Sequence, residues 1–299
     1  MIVADLAFLQ EEVRCDHLVT KEVKELWAVE LDLLDQFKRI CDKYGLKYFA
    51  AGGTLLGAAR HRGFIPWDDD IDLHMMAEDY EKFCEVAPKE LEYPYFFQFY
   101  GTEEGAPISH GRIRRSDTTG CTGFEYEFCS GTYNRGIFAD IFPLYNIPDS
   151  GLKRLIQKLG IMTVKYILAG EEQDRKRKMG HAVGLRYMPF VWLWKFVSLF
   201  TNGTKLRKTY LQICGWEKKR TGYVGALSFN CTSKKLMWER SLFDEKVELP
   251  FENTTVSCPA GWEEHLVQQY GNWQTPVKNT AYHEMAVFDA RVSFSEKLK

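Results

Sequence analysis

The stretch that decides the fold is GGTLLGAARHRGFIPWDDDIDL, residues 52–73. Its second half carries four carboxylates within five positions, Asp68, Asp69, Asp70 and Asp72, and their mutual repulsion contributes nothing to packing. Because side chains alternate between the two faces of a strand, Asp70 and Asp72 share one face while the apolar residues beside them face a core. Paired hard oxygen ligands suit Mg²⁺ or Mn²⁺, which share their other positions with water and substrate phosphates. The stretch therefore predicts a metal site on a strand.

The acidic run has three other possible interpretations. An EF-hand needs glycine and glutamate where Leu73 and Asp79 stand, so it is excluded. A P-loop needs Gly-Lys-Ser/Thr, but Gly57 is followed by two alanines. A solvated acidic turn is the common fate of such runs. The glycine-rich segment upstream favours a functional site instead, with an Asp-x-Asp strand following that segment.

The glycines precede the acidic strand and follow a short strand predicted over residues 46–51. Gly52 and Gly53 let the backbone approach a phosphate closely, and with Thr54 they offer backbone and hydroxyl donors. An ordinary tight turn explains the glycines equally well when they are taken alone. The acidic strand downstream favours the phosphate-binding interpretation.

Residues 53–72 resemble the signature of the LicD family, bacterial phosphorylcholine transferases related to the eukaryotic fukutin-type ribitol-phosphate transferases. Weaker matches extend the resemblance over residues 112–118 and 136–144. The sequence YGNW at 270–273 resembles a further family element, from which Asn272 departs. The resemblance implies an α+β fold, with a nucleotidyltransferase-like mixed sheet flanked by helices.

The resemblance also implies a third acidic residue on a neighbouring strand. Asp140 interrupts an apolar strand, where an unpaired carboxylate is costly to bury. Asp140 is therefore expected to join Asp70 and Asp72 as a metal ligand. Asp68 and Asp69 are left as candidates for a second metal or for accepting the acceptor's proton.

Three arginines are candidate phosphate ligands. The resemblance makes Arg60 the expected contact for a diphosphate. Arg112 and Arg114 share one face of a predicted strand by alternation, and guanidinium groups bind phosphate oxygens bidentately. Surface arginines on an edge strand are the alternative for this pair.

The charge is distributed unevenly along the 299 residues. Residues 151–220 carry 16 Lys/Arg and 4 Asp/Glu, a net charge of +12, whereas the whole chain has a net charge of −2. This asymmetry predicts a face for an anionic partner. We therefore divide the chain into an N-terminal helix with a catalytic core (1–150), a basic and mainly helical insertion (151–220), and a segment that completes the catalytic body (221–299).

Local patterns predict several elements. Apolar residues at three- and four-residue steps predict a helix over residues 21–44, with Gly45 as its stop. Another helix is predicted over residues 77–86, ending before Pro88. The eight cysteines include no CxxC pair, which indicates reduced thiols rather than zinc or redox sites.

Residues 187–200 are apolar and aromatic, with Lys195 as their only charge. Fourteen residues are too few to span a bilayer, which needs about 20. A buried core helix is the default, and a helix lying on an anionic membrane surface is the alternative. No nucleic-acid-binding motif accompanies the basic segment, so nucleic acid is not expected. The N-terminus lacks the pattern of a signal peptide, which predicts a cytoplasmic protein. If residues 187–200 lie on a membrane surface, the protein would be peripheral at the inner membrane face.

These residues predict metal-assisted phosphoryl chemistry. The resemblance implies transfer of a phospho-alcohol from a CDP-alcohol to a sugar hydroxyl of a cell-surface glycan or teichoic acid precursor, with release of CMP. CDP-choline is the favoured donor. One alternative is a nucleotidyltransferase that attaches NMP to a small alcohol or sugar and releases pyrophosphate. The other is a non-catalytic membrane-associated scaffold.

Overall fold

The computed structural model describes residues 7–103, 106, 108–128, 133–178, 180–277 and 285–298. Its strands are β1 Glu12–Arg14, β2 His17–Val19, β3 Tyr48–Ala50, β4 Asp72–Met76, β5 Tyr95–Gln98, β6 Gly111–Arg115, β7 Thr119–Thr122, β8 Ile137–Ile147, β9 Tyr223–Gly225, β10 Met237–Glu239, β11 Lys246–Phe251, β12 Thr254–Pro259 and β13 Met285–Asp289. Its α-helices are α1 Lys21–Tyr44, α2 Gly52–His61, α3 Ala77–Glu90, α4 Gly123–Phe128, α5 Gly151–Lys178, α6 Met188–Val197, α7 Gly203–Cys214, α8 Leu227–Asn230, α9 Trp262–Tyr270 and α10 Phe294–Lys297.

The fold is α+β, with a mixed sheet flanked by helices, as predicted. The sheet has the order β10-β9-β8-β4-β3, and β6 with β5 joins it along β8. Only the pair β4–β8 is parallel among these described strands. All eleven residues of β8 are buried, because this strand pairs with β4, β6 and β9 and helices cover it.

Helix α1 has the predicted bounds and packs on the sheet. The Thr20 side chain accepts a hydrogen bond from the Val23 backbone, and Gly45 ends the helix in the left-handed conformation. Its apolar stripe, which includes Leu33 and Phe37, is buried in the main core. This packing also brings Trp27 beneath the acidic loop at residues 68–71.

Two predicted boundaries are wrong. The acidic strand begins at Asp72 rather than Asp70, so Asp70 lies in the loop that leads into β4. Helix α3 continues through Pro88 to Glu90. A proline in the last turn removes only one hydrogen bond near a helix end, and the Leu91 backbone N–H still bonds to the Ala87 carbonyl.

The insertion is mainly helical, as predicted. Helices α5 and α7 form their own apolar core, which continues onto Tyr145 and Ile147 at the end of β8. Helix α6 is not the buried core helix that its composition favours, because only Val191 and Trp194 of its residues are buried. The domain boundaries stay a prediction. Seven described cysteines are free thiols, and Cys129 lies outside the described residues.

Candidate active site

Helix α2 begins directly beside the acidic residues. The Ala51 backbone N–H donates to the Asp72 carbonyl at 3.0 Å, and the chain then turns into the helix at Gly52, whose φ is +48°. A Cβ at Gly52 would lie 2.7 Å from Asp72 Oδ2, and one at Gly53 would lie 2.2 Å from Asp68 Oδ2. The two glycines therefore let carboxylates approach a helix N-terminus, where backbone N–H groups and the helix dipole favour negative charge.

Thr54 connects α2 to β4. Its buried Oγ1 accepts a hydrogen bond of 2.8 Å from the Asp72 backbone N–H. Thr54 thus holds the strand that carries Asp72. Its predicted contact with phosphate stays a prediction.

Three consecutive carboxylates form a tight cluster. One oxygen each of Asp68, Asp69 and Asp70 lies within 4.8 Å of the other two. Trp27 Nε1 donates to the Asp68 carbonyl at 3.0 Å, and the Met285 backbone N–H donates to Asp69 Oδ2 at 3.3 Å. Burial, together with the neighbouring charge of Asp69, raises the pKa of Asp68 to about 7. The loop is therefore anchored from α1 and β13 while its carboxylates face one another.

Asp140 lies beside Asp72, its partner in the parallel register of β4 and β8. Arg112 Nε donates to Asp140 Oδ1 at 2.6 Å, and His110 Nε2 lies 3.1 Å from the same oxygen. Burial opposes ionisation of Asp140, but the charges of Arg112 and His110 hold its pKa well below the usual range. Asp140 is thus close to the predicted metal set, yet its charge is already balanced within the protein.

Arg112 and Arg114 lie behind Asp140 instead of facing solvent as edge-strand arginines would. Arg114 is fully buried, with its Nη2 2.7 Å from Glu125 Oε1 and its Nε 2.7 Å from Gln98 Oε1. Arg112 also pairs with Glu125, at 3.4 Å. Neither arginine lines the two cavities described next. The geometry gives both arginines a role in positioning Asp140 and Glu125. Their contact with phosphate stays a prediction, which this geometry does not support.

Two cavities meet at Asp70 and Asp72, which line both. The first has a volume of about 660 Å³, and we name it the aromatic cavity. Its other walls include Gly52, His110, Phe124, Asp140, Phe142 and Phe229. The second has a volume of about 420 Å³, and we name it the arginine cavity. Its other walls include Gly53, Arg60, Trp67, Asp68, Tyr270 and Trp273. The sequence-predicted acidic residues, except Asp69, thus line one or both cavities.

Arg60 is held by two neighbours in the arginine cavity. Its Nη1 donates to the Trp273 carbonyl at 2.7 Å, and its Nε donates to His61 Nε2 at 2.9 Å. Burial and the charge of Arg60 lower the pKa of His61 to about 4, so the ring is neutral at pH 7 and accepts this bond. Arg60 is therefore a fixed cation near Asp70 and Asp72.

The donor set fits a divalent cation. Carboxylate oxygens are the ligands that Mg²⁺ and Mn²⁺ prefer, and Asp68, Asp69 and Asp70 bring theirs together beside Asp72. Burial and the charge of Asp69 raise the pKa of Asp68, and a bound cation would act in the opposite direction. The predicted ligand set of Asp70, Asp72 and Asp140 stays a prediction.

The family model described as LicD/FKTN/FKRP, nucleotidyltransferase domain, matches residues 45–194, which is half of the chain. The match includes α2, the acidic loop, β4 and β8. The chain belongs to this family.

Its relatives include named transferases. The chain is 27% identical to lipopolysaccharide cholinephosphotransferase LicD of Haemophilus influenzae over 271 residues, which cover 84% of this chain and 91% of the relative. It is 50% identical to ribitol 5-phosphate transferase FKRP of Mus musculus over 113 residues, which cover 38% of this chain and 19% of the relative. An uncharacterised protein of Rickettsia typhi is 39% identical over 93 residues, 28% of this chain and 30% of the relative.

Some site residues of this LicD-family chain were missed by sequence reasoning. Glu125 forms a reciprocal pair with Thr122, in which each backbone N–H donates to the other side chain at 3.1 Å. The Thr-x-x-Glu spacing of this capping box was a visible signal. His110 and Phe229 lacked any such signal, because tertiary packing alone brings them to the cavity. Lys278 and His283 lie outside the described residues.

Proposed function

We propose that this protein transfers phosphocholine from CDP-choline to a sugar hydroxyl of a cell-surface glycan precursor, and releases CMP. The observation that carries the proposal is that Asp70 and Asp72 lie where two cavities meet, beside the N-terminus of α2. A transferase needs such a junction because donor and acceptor must reach one phosphorus atom from opposite sides. The named LicD and FKRP relatives support a phospho-alcohol as the group transferred.

Mg²⁺ or Mn²⁺ would be held by Asp70 and Asp72, with Asp140 as a further ligand. When bound, the ion supplies positive charge that stabilises the diphosphate and the leaving phosphate. Backbone N–H groups at Gly52 and Gly53 would bind phosphate oxygens at the same helix end.

The donor fits the larger, aromatic cavity. Phe142 packs against Phe229 and His110, at centroid distances of 5.7 and 4.4 Å, and Phe124 lines the same space. Aromatic faces bind quaternary ammonium groups through the ring quadrupole. This lining favours choline over an uncharged polyol such as ribitol.

The acceptor fits the arginine cavity. Trp67 and Trp273 offer flat apolar surfaces for a sugar ring, and Asp68 lies on the same wall. The acceptor oxygen would attack the phosphorus that carries choline, a new P–O bond would form, and the bond to the bridging oxygen would break. The acceptor's proton would pass to Asp68, whose carboxylate lines the same cavity as the acceptor. CMP would then leave with the bridging oxygen.

A donor panel tests the proposal. The purified protein is incubated with CDP-choline, CDP-ethanolamine, CDP-ribitol, CDP-glycerol or CTP, with a glycan acceptor, in Mg²⁺ and in EDTA. We expect Mg²⁺-dependent release of CMP from CDP-choline, and loss of at least about a hundredfold in rate for Asp70→Asn and Asp72→Asn. Pyrophosphate from CTP would instead identify the nucleotidyltransferase alternative. Full activity in either Asp variant would refute the proposed site.

Phe229→Ala tests the choline assignment separately. Phe229 is exposed, so its loss is expected to leave the fold intact. We expect KM for CDP-choline to rise by about tenfold, with little change for CDP-ribitol or CDP-glycerol. An equal rise in KM for all donors would contradict recognition of the quaternary ammonium group, but it would not contradict the proposed reaction class.

A further inference from the structure

Large apolar side chains are exposed in one part of the molecule. Eleven of the 23 exposed large apolar side chains on described residues lie within residues 151–200. On α6 and the residues after it, Trp192 is 64% exposed, Phe196 62%, Leu199 74% and Phe200 77%. Scattered apolar residues are normal on a protein surface, but a concentration of this kind marks an interaction site.

The first half of α5 continues this surface. Leu152, Leu155, Ile156 and Leu159 are all exposed, and their spacing places them on one face of the helix. Five turns after Leu152, Gly170 lies on that same face. There α6 covers it so closely that a Cβ on the glycine would lie 2.1 Å from the Phe190 carbonyl oxygen.

The two helices therefore present one apolar face, which begins on α5 and passes onto α6 where α6 crosses it. Stacking of Tyr166 on Phe190, at a centroid distance of 5.2 Å, joins the two parts. We name this surface the hairpin face. Its members are Leu152, Leu155, Ile156, Leu159, Tyr166, Leu185, Trp192, Leu193, Phe196, Leu199 and Phe200.

Two of the three acidic side chains within residues 151–200 are buried, whereas all ten lysines and arginines there are exposed or half-buried. Glu171 and Asp174 are buried, and Arg207 Nη2 lies 3.0 Å from Glu171 Oε2. Lys178 pairs with Asp174 at 2.9 Å, yet its side chain is 73% exposed. Lys195 Nζ lies 5.7 Å from the Trp192 ring. Residues 151–200 contain 10 Lys/Arg and only 3 Asp/Glu, so the rim of the face is cationic.

We propose that the hairpin face docks the protein on an anionic lipid bilayer, with Trp192, Phe196, Leu199 and Phe200 inserted among the lipids. Apolar and aromatic side chains bounded by lysine and arginine match the boundary between headgroups and acyl chains. Among the described residues, no helix combines the length and the hydropathy that a transmembrane span requires. This inference concerns a surface other than the acidic junction and does not rest on the proposed function.

Vesicle co-sedimentation tests this inference. The full-length protein is mixed with vesicles of phosphatidylcholine alone, or of phosphatidylcholine with phosphatidylglycerol. We expect it to pellet with the anionic vesicles, and its affinity to fall with added salt because surface charges are screened. The triple variant Trp192→Ser, Phe196→Ser, Phe200→Ser should weaken binding by at least about tenfold. Replacing Arg175, Lys176, Arg177 and Lys178 with alanine should weaken binding to the anionic vesicles and leave binding to the phosphatidylcholine vesicles unchanged.

A matched control removes three exposed apolar side chains elsewhere. Val13→Ser, Leu18→Ser and Tyr93→Ser lie outside the hairpin face, and this variant should bind vesicles as the wild type does. Circular dichroism melts of all variants confirm that each is folded. Equal pelleting of the wild type and the Trp192 triple variant would overturn the proposal. A second result would also overturn it: the wild type does not bind vesicles but self-associates in sedimentation velocity, and the triple variant does not self-associate. In that case a second copy of the chain would cover the face.

Discussion

At Gly53 the site has no room for a methyl group, since a Cβ there would lie 2.2 Å from Asp68 Oδ2. Gly53→Ala should therefore displace the Asp68 carboxylate, which is the flexible partner. We expect at least about a tenfold fall in kcat, because small displacements of reacting groups are costly, with a change in unfolding free energy of only about 1 kcal/mol. Steady-state kinetics and urea unfolding measure the two effects.

Gly151→Ala is the control for Gly53→Ala. Gly151 also stands at the start of a helix, but nothing lies within 4 Å of the Cβ that alanine would add. This variant should keep wild-type kinetics and stability. If both alanine variants behave alike, the close approach of Asp68 to α2 has no functional role.

Arg114 shows how buried charge stabilises the floor of the site. Its guanidinium neutralises Glu125, whose pKa is lowered by Arg114 and Arg112 despite the opposing effect of burial. Arg114→Met leaves Glu125 partly uncompensated in a buried environment, and should cost roughly 3–5 kcal/mol of unfolding free energy. Urea unfolding measures this loss. Lys82→Met, which breaks an exposed pair with Glu85, should cost less than about 0.5 kcal/mol, and similar values for both variants would contradict the explanation.

At the scale of elements, the site depends on how α2 is attached to β4. Thr54 makes that attachment through its hydrogen bond from the Asp72 backbone. Thr54→Val keeps the shape of the side chain but removes the acceptor of a part-buried N–H, at a cost of roughly 1–3 kcal/mol. Because Asp72 loses its anchor, kcat should fall as well. Thr54→Ser retains the hydroxyl and should recover most of both losses, and failure of that recovery would point to packing instead.

The parallel pair β4–β8 is the other element that builds the site. Its register sets Asp72 beside Asp140, and the antiparallel pairing of β6 then sets Arg112 beside Asp140 from the other side. Alternation along one strand predicted that Arg112 and Arg114 share a face. It did not predict which face, because strand order and neighbouring helices decide whether that face is open. In this fold the face is closed by α4, whose Glu125 occupies the position beside both arginines.

At the scale of the whole molecule, metal binding and folding should be linked. A ligand that binds only the folded state stabilises it by about 2.7 kcal/mol at 100 times its Kd. Mg²⁺ should therefore raise the melting temperature of the wild type, and EDTA should reverse the rise. Asp70→Asn should respond far less, because it removes one charged ligand. Differential scanning calorimetry measures the melting temperatures of both proteins. If neither Mg²⁺ nor Mn²⁺ raises that of the wild type, the metal site is ruled out without any assay of turnover.

The sequence by itself determined the elements whose information is local. The span of α1, the mainly helical insertion and the acidic stretch followed from periodicity, capping residues and composition, which act over a few turns of chain. The resemblance carried by residues 53–72 was sufficient to predict the family and the α+β class, both of which were confirmed.

Only the tertiary structure decided which charges remain open to a ligand. The sequence marks Asp68, Asp70 and Asp140 equally as candidate site residues. In the structure, Asp140 is neutralised by Arg112, whereas the pKa of Asp68 is raised by burial and by Asp69. It also decided that α6 lies outside the core, although its apolar composition suits burial. The physical reason is that burial and electrostatic pairing arise from contacts between residues distant in the chain, which local patterns do not encode.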